Sequence, residues 1–485
     1  MALKVNRTRI RLNPDYTKVI ARFFNTGNDR SLMIIQKILQ LENDAAENLF
    51  SSIFSEFSKH YKNIQSIFFN HFHKIQYLIT DYTSVTETKK LLIGAYFTME
   101  YSIEAAALFN PSIVEDISQD GAGEGEKKVI VSFRATGESH ISSLIFKRGV
   151  LKLNGTIHFE PTSKYSIEGL VTQRNRESKN AFEEALIEMN VEAEIISKIL
   201  QQLNDTFSYK ELEIILKTVL PAIKSQQEQR KLKHEILSVV NTNYELQFPA
   251  DTSLSERIIF PVTRAEKNGI EDARFVKFIE EDGSSFYVAT YTAYDGTVIL
   301  PQLIITKDFC SFKVAPLHGK GATNKNLALF PRKINGQYVM LSRIDGFNNY
   351  IMFSDDIFIW EDATLLQQPI YPWEFVQIGN AGSPIETDKG WLVITHGVGA
   401  MRKYCLGASL FDINDPTIEL GRLKEPLLMP DEEERDGYVP NVVYSCGSIV
   451  HRDELFLPYA VSDYASSFAT IPLKDLLSEL LMSKS

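Results

Sequence analysis

From Arg257 to Ile471 the chain is a series of short apolar runs, rich in β-formers, that stop repeatedly at Gly, Asp, Asn or Pro. No long helix fits such punctuation. A loose repeat runs through it. Thr306-Lys-Asp-Phe309-Cys-Ser-Phe312 matches Ser354-Asp-Asp-Ile357-Phe-Ile-Trp360 at an offset of 48 residues. Each follows an apolar run, Leu303 to Ile305 and Tyr350 to Phe353, and adds an acidic turn and an aromatic able to pack between sheets. Gly407 to Asp412 and Pro458 to Asp463 end at comparable points, each about 50 residues further on. A period near 50, with several short strands per unit, predicts propeller blades rather than a sandwich, with loops gathered round a central channel.

Strand language also fills the stretch after Asn110-Pro111: Val129 to Phe133, Ile141 to Phe146, Gly149 to Leu153 and Gly155 to Phe159. Asp120-Gly-Ala-Gly-Glu-Gly-Glu-Lys precedes a strand, not a helix, so it reads as a plain loop. Residues 1 to about 80 read as helical, with Leu49, Ile53 and Phe57 on one face, Phe50 and Phe54 beside them, and Asp44 as N-cap. A second helix is expected over Glu87 to Leu108. His60, His71 and His73 lie close together without a carboxylate cluster, and no metal site is assigned to them. Residues 179 to 240 return to helical spacing: Ile196, Ile199, Leu200 and Leu203, then Leu212, Ile215, Leu216 and Val219, broken at Pro221. The polar run Gln226 to Lys233 belongs to its outer face. We read this as a helical insertion outside a β domain, with homo-oligomer formation as its expected use.

With 485 residues the chain allows two or three domains. The expected division is a helical N-terminal extension over 1–109, a β domain over 110–477 carrying the insertion at 179–240, and a tail over 478–485. A formal charge of −11 argues against a nucleic-acid partner. Cys310, Cys405 and Cys446 are scattered, without metal-ligand spacing. Neither a signal peptide nor an apolar run long enough for a membrane span is visible, so a soluble, cytoplasmic protein with no membrane partner is the expectation.

Chemistry concentrates at strand ends. Asn268-Gly-Ile-Glu271-Asp272-Ala-Arg274-Phe275 sets two carboxylates and an arginine beside a strand beginning just after Asp272, which suits acid–base work. Similar ends are Ser132-Phe-Arg134-Ala-Thr-Gly137, Tyr291-Thr-Ala-Tyr294-Asp295-Gly296, Asn324-Lys325-Asn326, Leu341-Ser-Arg343-Ile-Asp-Gly346, and Gly379 to Thr387 leading into Trp391 to Gly397 with His396. Singly, each is ordinary turn chemistry. Five ends mixing carboxylates with Arg, Lys and His converge better on a sugar-cleaving site.

Six segments resemble glycoside hydrolase family 130: Gly269 to Arg274, Tyr291 to Gly296, Lys325 to Pro331, Gly382-Ser-Pro-Ile-Glu-Thr387, Gly390 to Val398 and Tyr438-Val-Pro-Asn-Val-Val443. Their order and spacing fit from about Asn110 to Leu477, apart from the insertion. The resemblance implies a mainly β, five-bladed propeller and inverting cleavage of β-mannosides, by phosphate or by water. It makes Asp272 the general acid, its proton passing directly or through a sugar hydroxyl. It places Arg134, Lys325, Asn326 and Arg343 around phosphate or the mannosyl unit. The full expected binding set is Arg134, Glu271, Arg274, Tyr294, Asp295, Lys325, Asn326, Arg343, His396 and Asp463, with no metal or organic cofactor and phosphate as co-substrate only in a phosphorylase.

Two departures bear on the choice. The family's phosphorylases carry Arg where this chain has Lys325, and Lys where it has Glu386. Lysine cannot fork onto a phosphate as arginine does. A carboxylate about 4 Å from a phosphate is repelled by about 4 kcal/mol for unit charges in an effective dielectric of about 20. An ionised Glu386 beside water is instead what an inverting hydrolase needs as base. The expectation is therefore a β-mannosidase acting on manno-oligosaccharides with a β-1,2 linkage, with Asp272 as acid and Glu386 as base. Tyr294, Trp373 or Trp391 would offer a ring to the sugar. The alternatives are a β-mannoside phosphorylase releasing α-mannose 1-phosphate, and an inactive propeller that binds sugar or protein.

Overall fold

Strands of strictly alternating side chains can bury both faces only if other strands cover both, and five antiparallel units here do this for one another, the first two joined into one sheet where Gly269 pairs with Ser142. In the computed structural model, which describes residues 3–483 except 175–176, 189–190, 223–228, 230–231, 234–235, 238–239, 241–242 and 297–298, the chain is mainly β. Ala107–Glu115, Lys127–Thr136, Ser142–Leu151 and Ile157–Phe159 form one antiparallel unit. Gly269–Ile279, Ser285–Tyr294, Ile299–Thr306 and Ser311–Pro316 form the second, widened by Tyr244–Gln247 and Leu170–Arg174. The third is Ala328–Leu329, Tyr338–Ser342, Asn349–Ser354 and Ala363–Gln367. The fourth is Gln377–Asn380, Gly390–Val398, Tyr404–Phe411 and Glu419–Arg422. The fifth joins Val443–Tyr444, Glu454–Val461 and Ala465–Pro472 to Asn6–Leu12, near the chain's start.

The period of two decides which neighbour each residue meets. On Gly390–Val398, Trp391 and Val393 pack with Leu341 and Ile351 of the third unit, while Leu392 and Ile394 pack with Leu455 and Leu457 of the fifth. Val276 and Val288 of the second unit meet Leu329 and Met340 of the third. Phe456 and Phe468 of the fifth meet Val131 and Phe133 of the first, and Phe146 of the first meets Phe275 and Ile304 of the second. The innermost strands touch in the same order. The amide of Phe275 donates to Ser112 Oγ at 3.0 Å, Asn326 and Asn380 exchange side-chain bonds, and the amide of Cys446 donates to the carbonyl of Pro111 at 3.0 Å. Gly382 lies so close to Gly447 that an added Cβ would stand 2.5 Å from its Cα.

The structure redraws several sequence boundaries. Within residues 1–80, Asn6–Leu12 and Val19–Phe23 are strands; the first is held by long-range pairing that local helical spacing cannot register. Helices follow at Asn28–Leu39, Asn43–Phe57, Ile64–Ile75 and Glu87–Tyr96. Asp44 lies in the first turn of Asn43–Phe57 rather than at its cap, which is Glu42. The helix expected to reach Leu108 stops at Tyr96, because Thr98–Ser102 pairs with Val19–Phe23. His71 is buried against Phe23 and bonded to Thr98 Oγ1; burial, with Lys74 nearby, pushes its pKa down to about 4. In the insertion, Lys179–Glu188, Ala193–Leu200 and Tyr209–Val219 share a core of their own. Most of the polar run Gln226 to Lys233 lies outside the described residues. Among the described residues no helix is long and apolar enough to cross a membrane.

The repeated acidic turn has a local cause. Asp308, Asp356 and Asp412 each accept a backbone amide two residues on, starting the turn between the third and fourth strands of units two, three and four. Asp463 does not belong to that series. It sits between the second and third strands of the fifth unit.

Candidate active site

The innermost strands and the far ends of the second strands converge on one cavity of about 190 Å³. The second strands of the first, third, fourth and fifth units deliver Arg134, Arg343, His396 and Asp463 to its wall, at or just beyond their ends. The innermost strands and the loops before them deliver Asn110, Asp272, Lys325, Asn326, Gln377 and Tyr444.

Asp272 reaches the cavity because its strand breaks register. Pairing between Gly269–Ile279 and Ser285–Tyr294 shifts between Glu271 and Arg274, and Asp272 adopts φ 54°, a left-handed conformation that Asp tolerates. It therefore lies inside the strand, at a bulge, rather than before it. Asn110 sits at a matching shift in Ala107–Glu115, with φ 49°, and donates to Asp272 Oδ1 at 2.6 Å. Arg134 Nη1 approaches the same oxygen at 3.5 Å. Burial favours the neutral carboxyl, yet Arg134, Arg274 and Lys325, with the Asn110 bond, outweigh it and hold the Asp272 pKa below the usual range.

Glu271 bridges Arg134 Nη2 and Lys325 Nζ, both at 2.7 Å. Arg274 is 2% exposed and supports the floor, donating to Tyr444 Oη at 2.5 Å and Asn380 Oδ1 at 3.3 Å. Asn326 donates to the same Tyr444 oxygen at 3.2 Å.

The protonation of His396 follows from its partners. Its Nδ1 lies 2.9 Å from the carbonyl of Asn380, which can only accept, so Nδ1 carries the hydrogen. Its Nε2 then accepts from Arg343 Nη1 at 3.1 Å, since a guanidinium can only donate. The ring is neutral, and burial together with Arg343 and Arg274 depresses its pKa. Arg343 is buried with no hydrogen-bond partner for Nε, and among the described residues no carboxylate lies within 4 Å of its guanidinium nitrogens. Opposite, Asp463 is pushed up to about 6 by burial; Asp272 and Glu271 add to the rise, while Arg134 and Arg402 oppose it.

Several of the expected residues lie off the cavity wall. Glu386 does not line the cavity: it lies on the short strand Ile385–Thr387, which pairs with the start of Gly390–Val398; its side chain is 44% exposed, and both its oxygens accept from Arg332 at 2.8 Å. The Arg332 bond, the main cause, lowers its pKa against a small opposing effect of burial. Trp391 is core, packed on Phe330 with Nε1 bonded to the carbonyl of Ile413, and Trp373 packs over Gly397 and Gly407. Neither ring faces the cavity. Tyr294 stands beside it, with Lys325 Nζ 5.9 Å from its ring, and Asp295 follows in the same turn without lining the wall. Asn110, Gln377, Arg402, Tyr404 and Tyr444 line the cavity unforeseen. Asn110 had a signal, since an Asn-Pro step inside an apolar run suits an irregular strand, and Tyr444 directly follows a segment already singled out.

A polar cavity with buried carboxylates, several fixed cations and side-chain amides is equipped for an enzyme that acts on glycosides. A family model described as beta-1,4-mannooligosaccharide phosphorylase matches residues 230–481. A 1,2-beta-oligomannan phosphorylase from Thermoanaerobacter sp. is 36% identical over 229 residues, spanning 46% of this chain and 75% of that one. A beta-1,2-mannobiose phosphorylase from Listeria innocua is 32% identical over 46% of this chain and 63% of its own length. A solved structure of beta-1,2-mannobiose phosphorylase from Listeria innocua, in complex with beta-1,2-mannobiose, aligns over 79% of this chain and 93% of that one with 20% identity and a TM-score of 0.45. The chain belongs to glycoside hydrolase family 130.

Proposed function

We propose that the protein is a β-mannoside phosphorylase that cleaves manno-oligosaccharides with inversion and releases α-mannose 1-phosphate. One observation carries the choice of phosphate over water: Arg343 is a buried guanidinium facing a neutral histidine, and among the described residues no carboxylate pairs with it, although the charge of Asp272 reaches it across the cavity. A buried charge without a counter-ion is costly, and a phosphate dianion supplies the missing charge. The base that hydrolysis needs is absent from the expected place, because Glu386 is turned outward onto Arg332. The relatives support the same reading, since those matched are phosphorylases of β-1,2- or β-1,4-mannosides. A β-1,2 linkage is the narrower proposal.

In this reading Asp272 is the acid. Phosphate seated by Arg343 and Lys325 offsets the cations that hold the carboxyl ionised, so the loaded site favours its protonated form. Phosphate then attacks the anomeric carbon from the face opposite the leaving sugar. Asn326 and Asp463 hold hydroxyls, while His396, with both ring nitrogens engaged, orients Arg343. The five units, packed in cyclic order with the fifth on the first, support a five-bladed β-propeller over residues 110–477. Residues 1–109 and 179–240 are proposed as mainly helical additions to it, the first also carrying the strand pair Val19–Phe23 and Thr98–Ser102, while Asn6–Leu12 completes the fifth blade.

Incubating the protein with β-1,2-mannobiose, with and without phosphate, tests this. The expected products are mannose and α-mannose 1-phosphate, at a rate that saturates with phosphate. Free mannose alone, at a phosphate-independent rate, would falsify the phosphorolytic reading. Asp272→Asn keeps the shape but removes the proton, and turnover should fall by about 10² or more.

A further inference from the structure

Glu271 is the hub of the cationic cluster. It is 8% exposed and precedes Asp272 at the register shift that aims Asp272 into the cavity. Its two oxygens take Arg134 Nη2 and Lys325 Nζ, each at 2.7 Å. The two cations differ in their freedom. Arg134 is committed on all three nitrogens: Nε donates to Ser142 Oγ at 2.9 Å, Nη1 lies 3.5 Å from Asp272 and Nη2 holds Glu271. Lys325 is a point charge on a flexible stem, its side chain 32% exposed, and it also lines the cavity. Arg134 is fixed in place. Lys325 has room to swing.

We propose that Glu271 is a positioning residue that sets phosphate affinity, by drawing Lys325 to the Asp272 side of the cavity and away from an incoming phosphate. The inference rests on the phosphorolytic reading above. Glu271 and phosphate compete for one ammonium, and the two anions repel. Arg343 admits the phosphate, while Glu271 limits how tightly it is held. A seat of moderate depth suits a site that must also release an anionic sugar phosphate, because ground-state binding tighter than the transition state requires does not speed turnover.

The test is steady-state kinetics with β-1,2-mannobiose and inorganic phosphate on Glu271→Gln, which keeps the shape and removes the charge. KM for phosphate should fall by about twofold to fivefold, the range expected for freeing one partly exposed cation. KM for the mannobiose should stay put and kcat should drop, as Arg134 and Lys325 loosen around Asp272. In a Lys325→Met background the gain in phosphate affinity should vanish, since the cycle isolates that pair. A merely structural Glu271 would raise both KM values. An unchanged or raised KM for phosphate in Glu271→Gln, with wild-type turnover still phosphate-dependent, overturns the proposal alone; phosphate-independent wild-type turnover overturns it together with the function. Should Glu271→Gln fail to fold, Lys325→Arg replaces it. Its fork can hold Glu271 on one edge and reach phosphate with the other, so KM for phosphate should fall, and a rise overturns the proposal.

Discussion

Arg343 and Arg422 are buried to similar depth, 8% and 5% exposed, and they differ in what faces them. Arg422 Nη2 donates to Glu374 at 2.6 Å and Nη1 to the carbonyl of Gln368 at 3.0 Å. Glu374 is itself fully buried, and its other oxygen accepts the amides of Ile370 and Tyr371. The charge of that pair is closed within the fold, although Arg422 Nε, like Arg343 Nε, has no hydrogen-bond partner among the described residues. Among the described residues Arg343 is hydrogen-bonded to the neutral ring of His396 and paired with no carboxylate. Burial therefore does not single out a functional arginine. What does is a desolvated charge whose partner the chain withholds, and a fold accepts that cost where a ligand of opposite charge completes the site.

Arg343→Met breaks the comparison most sharply. Phosphate-dependent turnover should fall by about 10³ or more, the effect of removing an arginine that stabilises a transferring phosphate. The thermal midpoint should hold or rise, because a buried charge without a carboxylate partner is gone. Near-normal turnover with a lowered midpoint would make Arg343 structural. Arg422→Met should show the reverse. It leaves Glu374 buried and unpaired, a loss of about 3–5 kcal/mol readable in thermal unfolding, with turnover per folded molecule preserved.

This contrast also explains how far the sequence could be read. The units were legible where local chemistry repeats, as in the amide-capping aspartates Asp308, Asp356 and Asp412. Arg134, Arg343 and His396 were legible as polar residues at strand ends, and the structure brings them to one wall. Asn6–Leu12 was not, because its partner lies more than 450 residues away. Glu386, expected as base, stands off the cavity for a related reason. Whether a carboxylate on a short strand faces a cavity or a surface arginine depends on a partner distant in sequence, and Arg332 lies 54 residues from it. Arg422 shows the same limit, since nothing in its neighbourhood along the chain tells its closed pair from the open position of Arg343.

A smaller effect separates the two settings by pH. Asp463 has its pKa raised to about 6, so the folded chain holds that proton more tightly than the unfolded one. Below about pH 4 both states are protonated and the residue costs nothing. Between about pH 4 and 6 the unfolded chain releases its proton first, and folded-state stability falls as pH rises. Asn cannot ionise. Asp463→Asn should therefore unfold at the same temperature as wild type at pH 4. At pH 7 to 8 it should be more stable by about 1–2 kcal/mol, a discounted value because Asp463 is only partly shielded and one pKa unit is worth about 1.4 kcal/mol. A stabilisation equal at both pH values would assign the effect to packing rather than charge.

The smallest effect is expected at Glu386, and it tests the choice of phosphate from the other side. Its carboxylate is 44% exposed and held by Arg332 Nε and Nη2, one edge of a guanidinium that lies 5.0 Å from the Trp391 ring centroid. An exposed pair of this kind contributes at most about 1 kcal/mol, and salt weakens it further. Glu386→Gln should lower the thermal midpoint slightly at low ionic strength, less at high, and leave phosphate-dependent turnover unchanged. A base for water could not be replaced so quietly, since an amide accepts no proton at neutral pH. If turnover collapses in Glu386→Gln while the midpoint barely moves, the carboxylate must leave Arg332 and enter the cavity during the reaction. Hydrolysis would then be restored as the chemistry, and the unpaired charge of Arg343 would need an anion other than phosphate.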